Sequence, residues 1–136
     1  MSTKIFVNLP VKDLDRAVAF FTGLGFSFDP RFTDEKAGCL VISDDIYAML
    51  LVEPFFQSFT TKDIADSRAS TEAIVALAVE SRQRVDDIVD KALASGGLPA
   101  NDTSDQGFMY ARSFQDVDGH LWEVLHMDPA AVRQRA

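Results

Sequence analysis

The stretch Asp116–Met127, DVDGHLWEVLHM, joins a tight turn to a short apolar run with one carboxylate, Glu123, set inside it. Alternate side chains of a strand point to opposite faces, so Leu121, Glu123 and Leu125 share one face while Trp122 and Val124 share the other. Burying an unpaired carboxylate in an apolar layer is costly. Glu123 therefore faces a wetted pocket, holds a partner, or sits on an edge strand, and the choice decides what chemistry the chain supports.

Upstream of this turn, Phe108 to Phe114 alternates as a strand, preceded by the turn-rich residues 98–107. Ser81 caps a helix whose apolar stripe is Val85, Ile88, Val89, Ala92 and Leu93 and which Gly96 and Gly97 stop. Ala73 to Val79 is a strand before it. The N-terminal part has the same order. Ile5 to Val11 is a strand with Pro10 at its margin, and Asp13 caps a helix with Leu14, Ala17, Val18 and Phe21 on one face, ended at Gly23 and Gly25. Phe26 to Phe32, interrupted by Pro30, reads as a weak or edge strand, and Gly38 to Ser43 with Ile46 to Val52 as a hairpin. Between the halves, Glu53 to Thr71 sets Phe55, Phe56 and Phe59 among polar residues. Its readings are a lid, an arm that packs on a partner, or a connector with a helical turn near Ile64.

With 136 residues the chain has the length of one domain, and its formal charge of −8 argues against nucleic acid and anionic membranes, which need a basic face. No signal-peptide pattern and no membrane-length apolar run is seen, so a cytoplasmic location is expected. The single cysteine, Cys39, lies in an apolar run and is expected to be buried strand filler.

Val79, Ser81, Ile88 and Val89 stand 68 positions after Val11, Asp13, Phe20 and Phe21, and Gly97 stands 72 after Gly25. This similarity of pattern predicts an α+β domain, residues 1–136, made of two βαβββ modules at about 3–53 and 72–128. The modules are expected to form a curved mixed sheet with helices on its convex side and a pocket on its concave side.

The order of elements, the N-terminal VNLPVKDLDRAVAFFTGLGF and the C-terminal DVDGHLWEV together resemble the vicinal oxygen chelate superfamily, which includes glyoxalase I, bleomycin-resistance proteins and extradiol dioxygenases. Val117 stands where proline is usual in that turn. The resemblance implies a divalent metal held by side chains from the first and last strands of both modules. At those positions this chain has Phe6, Ile74 and Glu123, with Leu51 as the fourth by the shift of 72 and Glu53 one strand repeat further on. Phe6 and Ile74 offer no donor, so no metal is expected, and if one binds, Glu123 and Glu53 are the candidates. His120 and His126 fall on the Trp122 face, and Asp116 with Asp118 lacks the remaining ligands and the glycine position of a calcium loop.

A metal-free pocket would gather Phe6, Asn8, Leu51, Ile74 and Glu123 with Tyr110 and Arg112, if the strand before the turn points those two inward; in the opposite phase Met109, Ala111 and Ser113 line it. The expected function is binding of a small organic molecule in an apolar cleft, as in bleomycin-resistance proteins, by a homodimer without cofactor. The alternative is a glyoxalase-like lyase or dioxygenase-like enzyme using Glu123 as general base or as ligand to a divalent metal.

Overall fold

The computed structural model describes residues 2–130. It divides at Asp66/Ser67 into two units, each built on its own sheet.

The first unit runs β1 (Ile5–Val11), α1 (Leu14–Gly23), β2 (Ser27–Phe28), a 3-10 turn (Pro30–Phe32), β3 (Ala37–Val41), β4 (Ile46–Val52) and α2 (Glu53–Gln57). The Asp13 side chain accepts from the Arg16 backbone N–H at 3.1 Å and starts α1, whose Leu14, Ala17, Phe20 and Phe21 are buried. The sheet order is β1-β4-β3-β2, with β1 parallel to β4 and the other pairs antiparallel. Gly38 on β3 lies close under α1: a Cβ there would meet Phe28, Val18 and Leu14 at 3.2 to 3.4 Å. The strand expected over Phe26 to Phe32 stops at Phe28, because Asp29 accepts from the Arg31 N–H and Pro30 begins the 3-10 turn. The helical turn expected near Ile64 lies instead at α2, directly after β4, where Pro54 suits a first turn.

The second unit runs β5 (Ile74–Ala78), α3 (Arg82–Ala94), β6 (Leu98–Pro99), β7 (Ser104–Asp105), β8 (Met109–Gln115) and β9 (Leu121–Met127). Ser81 caps α3 through the Arg84 N–H at 3.0 Å. Val85, Ile88, Val89 and Ala92 are buried, whereas Leu93, placed in the same stripe by its spacing, is 37% exposed. The order β5-β9-β8-β6, again with the first strand parallel to the last, repeats the topology of the first unit. The α+β class and the two βαβββ modules are therefore as read from the sequence, with hydrogen bonding closing each sheet inside its own module. No helix among the described residues is long and apolar enough to cross a membrane.

Strand register refines the alignment of the repeats. Asn8 pairs with Met49 and Cys39 with Met49, as Ala76 pairs with Glu123 and Ser113 with Glu123. The hairpins of the two modules are thus 74 positions apart, so the counterpart of Glu123 is Met49, not Leu51. The helices start 68 apart, and the longer α3, 13 residues against 10, accounts for half of the growth.

The turn between β8 and β9 is held by a buried carboxylate. Asp116, 4% exposed, accepts from the Trp122 indole N–H at 3.0 Å and from the backbone N–H of Asp118 and His120 at 2.9 and 3.0 Å. Burial pushes its carboxyl up, and the His120 charge and these donors pull it back. Asp116→Ala leaves all three donors without this acceptor and is expected to cost about 3 kcal/mol in urea unfolding. A loss under about 1 kcal/mol would show that water replaces the carboxylate.

Candidate functional site

In β9 the side chains divide as alternation requires. Trp122 and Val124 are buried on the side of the sheet carrying Phe114, whose ring stacks on the indole at 6.4 Å between centroids, and α3 packs against β8 and β9. Glu123 is on the other face, half-buried, beside Ala76 of β5 and Ser113 of β8. Leu121, Leu125, Ile74 and Ala78 share that face, and Ile74 is 56% exposed. Glu123 makes no hydrogen bond or ion pair among the described residues.

The phase of β8 is opposite to the one that would bring Tyr110 and Arg112 to Glu123. Ser113 is the residue paired with Glu123, while Arg112 pairs with Val124 and so shares the helix side. There Arg112 donates to Asp86 and Asp90 of α3, both at 2.9 Å, and the Tyr110 hydroxyl donates to Asp86 at 2.7 Å. The Tyr110 hydrogen bond holds the Asp86 carboxyl below its ordinary range. Tyr110 and Arg112 are thus corrected from pocket residues to ties between sheet and helix. Arg82 extends the network: its guanidinium lies 4.8 Å from the Tyr110 ring centroid and forks onto Asp105 at 2.6 and 2.9 Å, holding that carboxyl down at about 2. His126 also takes the helix side, its Nδ1 donating to the Val79 carbonyl at 3.0 Å.

In the first module, Phe6 and Asn8 lie on the sheet face opposite to buried Leu9 and Val11. Phe6, 47% exposed, stacks on Tyr47 of β4 with centroids 4.8 Å apart and planes within 10°. The Asn8 amide donates to the Phe6 carbonyl at 3.1 Å. Leu51, paired with Pro10 and Ala37, is only 2% exposed, so it offers a ligand almost no surface. Glu53 has left the strand and opens α2. In the segment that follows, Phe55 and Phe59 meet edge to face at 5.1 Å, and the Gln57 amide donates to the carbonyls of Thr60 and Lys62.

Register also re-reads the four positions at which the resemblance implies metal ligands. By register they are Phe6, Met49, Ile74 and Glu123, that is, one carboxylate, one weak thioether donor and two hydrocarbons. Among the described residues no group of three or more His, Cys, Asp or Glu side chains is arranged to hold a metal ion.

One feature escapes the strand and helix patterns. The segment 67–71 is fastened to the turn: the Ser67 hydroxyl donates to the Asp118 carbonyl at 2.6 Å and Arg68 Nη2 to the Val117 carbonyl at 3.0 Å. Gly119 permits the approach, since its φ is +90° and a Cβ would stand 2.9 Å from the Ser67 carbonyl oxygen. Under this segment is a pocket of about 240 Å³ that reaches Gln115 and Leu121, on the same sheet face as Glu123. The sequence signal for it was faint, a lone Arg in a polar run.

This is the fold of the vicinal oxygen chelate superfamily. Residues 3–43 match the family described as bleomycin resistance protein-like N-terminal. Among solved structures, the chain is similar to a hypothetical protein of S. aureus, with TM-score 0.76, 25% identity and coverage of 93% of this chain and 95% of that one. A glyoxalase/bleomycin resistance protein/dioxygenase family enzyme of Burkholderia phytofirmans gives TM-score 0.74 at 14% identity, over 93% of this chain and 99% of that one. The genomically encoded fosfomycin resistance protein FosX of Listeria monocytogenes gives 0.65 at 20%, over 93% and 91%. Among curated proteins no sequence matches this chain.

Two outcomes follow for stability. Glu123→Leu removes a half-buried carboxylate without a partner among the described residues, so stability in urea stays level or rises by up to about 1 kcal/mol; a loss larger than that would mean that Glu123 holds the fold. For Asp105, whose carboxyl is lowered to about 2, the ion pair with Arg82 contributes fully above the ordinary carboxylate range near pH ~4 and is lost as pH falls through about 2. The urea midpoint of Asp105→Asn should therefore lie below that of the wild type at pH 6 and converge with it as the pH approaches 2.

Proposed function

We propose that the protein binds a small organic molecule on the apolar open faces of its sheets, without a bound metal. The observation that carries this reading is the exposure of hydrocarbon and aromatic side chains on the sheets: Phe6 and Ile74, exposed on β1 and β5, present surface suited to stacking and apolar contact and offer a metal no donor. The parallel Phe6 and Tyr47 rings form a platform for a planar group. On the second unit, Glu123, for which no hydrogen bond or ion pair is found among the described residues, offers an acceptor to a ligand on its own sheet face.

Equilibrium dialysis against nickel, zinc and ferrous iron, together with a thermal-shift panel of planar amphipathic compounds in EDTA, tests this. The expected result is no stoichiometric metal and a melting temperature raised by at least one class of compound, an effect that Phe6→Ala removes. Tight metal binding that is lost in Glu123→Ala would overturn it.

The same lone carboxylate favours a second reading, a metal-free enzyme in which Glu123 takes a proton from the carbon next to a carbonyl. Turnover of a glyoxalase-type substrate in EDTA, abolished by Glu123→Gln, would establish that reading in place of simple binding.

A further inference from the structure

We infer that the pocket under the 67–71 segment is an oxyanion site, which takes the charged head of a small organic acid. The inference rests on the small-molecule reading above and names one end of that ligand.

The pocket is built rather than incidental. Its outer wall is fixed to the β8–β9 turn by the Ser67 and Arg68 hydrogen bonds and by the close approach over Gly119. Asn101 lines the same pocket, and its backbone N–H donates to the Ser113 hydroxyl at 2.8 Å. Ser113 is the neighbour of Glu123 across the sheet, so the same strand pair positions the pocket wall and the carboxylate.

Its chemistry is one-sided. In a chain of net charge −8, the pocket lining contains no carboxylate; its one charged group is the guanidinium of Arg68. Thr71 adds a hydroxyl and Asn101 an amide donor around it, while the Gln115 amide, also in the lining, donates to the Pro99 carbonyl at 3.3 Å. The side chains of Thr71 and Asn101 make no hydrogen bond among the described residues. A planar guanidinium flanked by hydroxyl and amide donors is suited to a group with several acceptor oxygens, a carboxylate or a phosphate. A pocket of about 240 Å³ holds such a head with a short tail. Leu121 carries the tail onto the Glu123 face, and Glu123, two residues along β9 and so roughly 7 Å away, disfavours a second negative charge there. The ligand class is thus a mono-acid with an apolar body and a hydrogen-bond donor about two strand residues from its acid group.

The test uses the whole chain labelled with 15N and titrated separately with inorganic phosphate and with acetate, against chloride at matched ionic strength. Expected are saturable amide shifts at Ser67–Thr71, Asn101 and Gly119 with one or both oxyanions, at dissociation constants on the order of millimolar. The tighter of the two identifies the head. Arg68→Gln is expected to weaken binding about tenfold. Because Arg68 also holds the Val117 carbonyl, Thr71→Val and Asn101→Leu, which leave that fastening intact, serve as independent variants and are each expected to weaken it about threefold. Equal shifts with chloride, no shift with either oxyanion, or wild-type affinity in all three variants would overturn the site. If the oxyanions fail while planar compounds still bind in a Phe6-dependent way, the oxyanion site alone falls; if both fail, so does the small-molecule reading.

Discussion

The second module depends on one buried carboxylate. Asp116 has been taken out of water, and the cost is met by three N–H donors: two from the backbone of its own turn and one from the indole of Trp122. The indole reaches Asp116 from the buried side of β9, so this contact and the phase of the strand support one another. Trp122 goes in, and Glu123 must go out. The same turn, with Gly119 at positive φ, gives segment 67–68 a surface to lie on, so the pocket wall is a consequence of the turn as well.

The two modules illustrate how one topology carries different surfaces. Both place their first strand beside their last, in parallel, and pack a capped helix on one face. The faces away from the helices differ: the first carries the Phe6–Tyr47 stack, the second a carboxylate between an alanine and a serine. Side chains on the faces away from the helices can vary without changing the fold, since the hydrogen-bond ladders and the helix-side core do not involve them. This is why fold and chemistry separate here.

Much of the fold was legible because periodicity reports burial. The caps Asp13 and Ser81, the stripes of α1 and α3 and the alternation of β9 are local patterns, and the structure returns them with small shifts at the ends. Where local signals are ambiguous the structure departs from them. Pro30 turned the chain after two strand residues, and the helical turn after β4 came where Pro54 allowed it rather than near Ile64. The repeat shift of 72, taken from the glycines after the helices, missed the true register by two residues. That pointed to Leu51 in place of Met49, because helix length and loop length both differ between the modules.

The sequence by itself determined the α+β class, the two modules, the helix caps and the orientation of Glu123 within its own strand, since each follows from the spacing of apolar and capping residues along a few turns or strand repeats. Only the tertiary structure decided what Glu123 faces. The phase of β8 gave Arg112 and Tyr110 to the acids of α3, register named Met49 as the counterpart, and the fastening of Arg68 to the turn formed a pocket from residues distant in the chain. The physical reason is that pairing partners across a sheet, and segments laid against a turn, are chosen by contacts between distant parts of the chain, which no local period encodes.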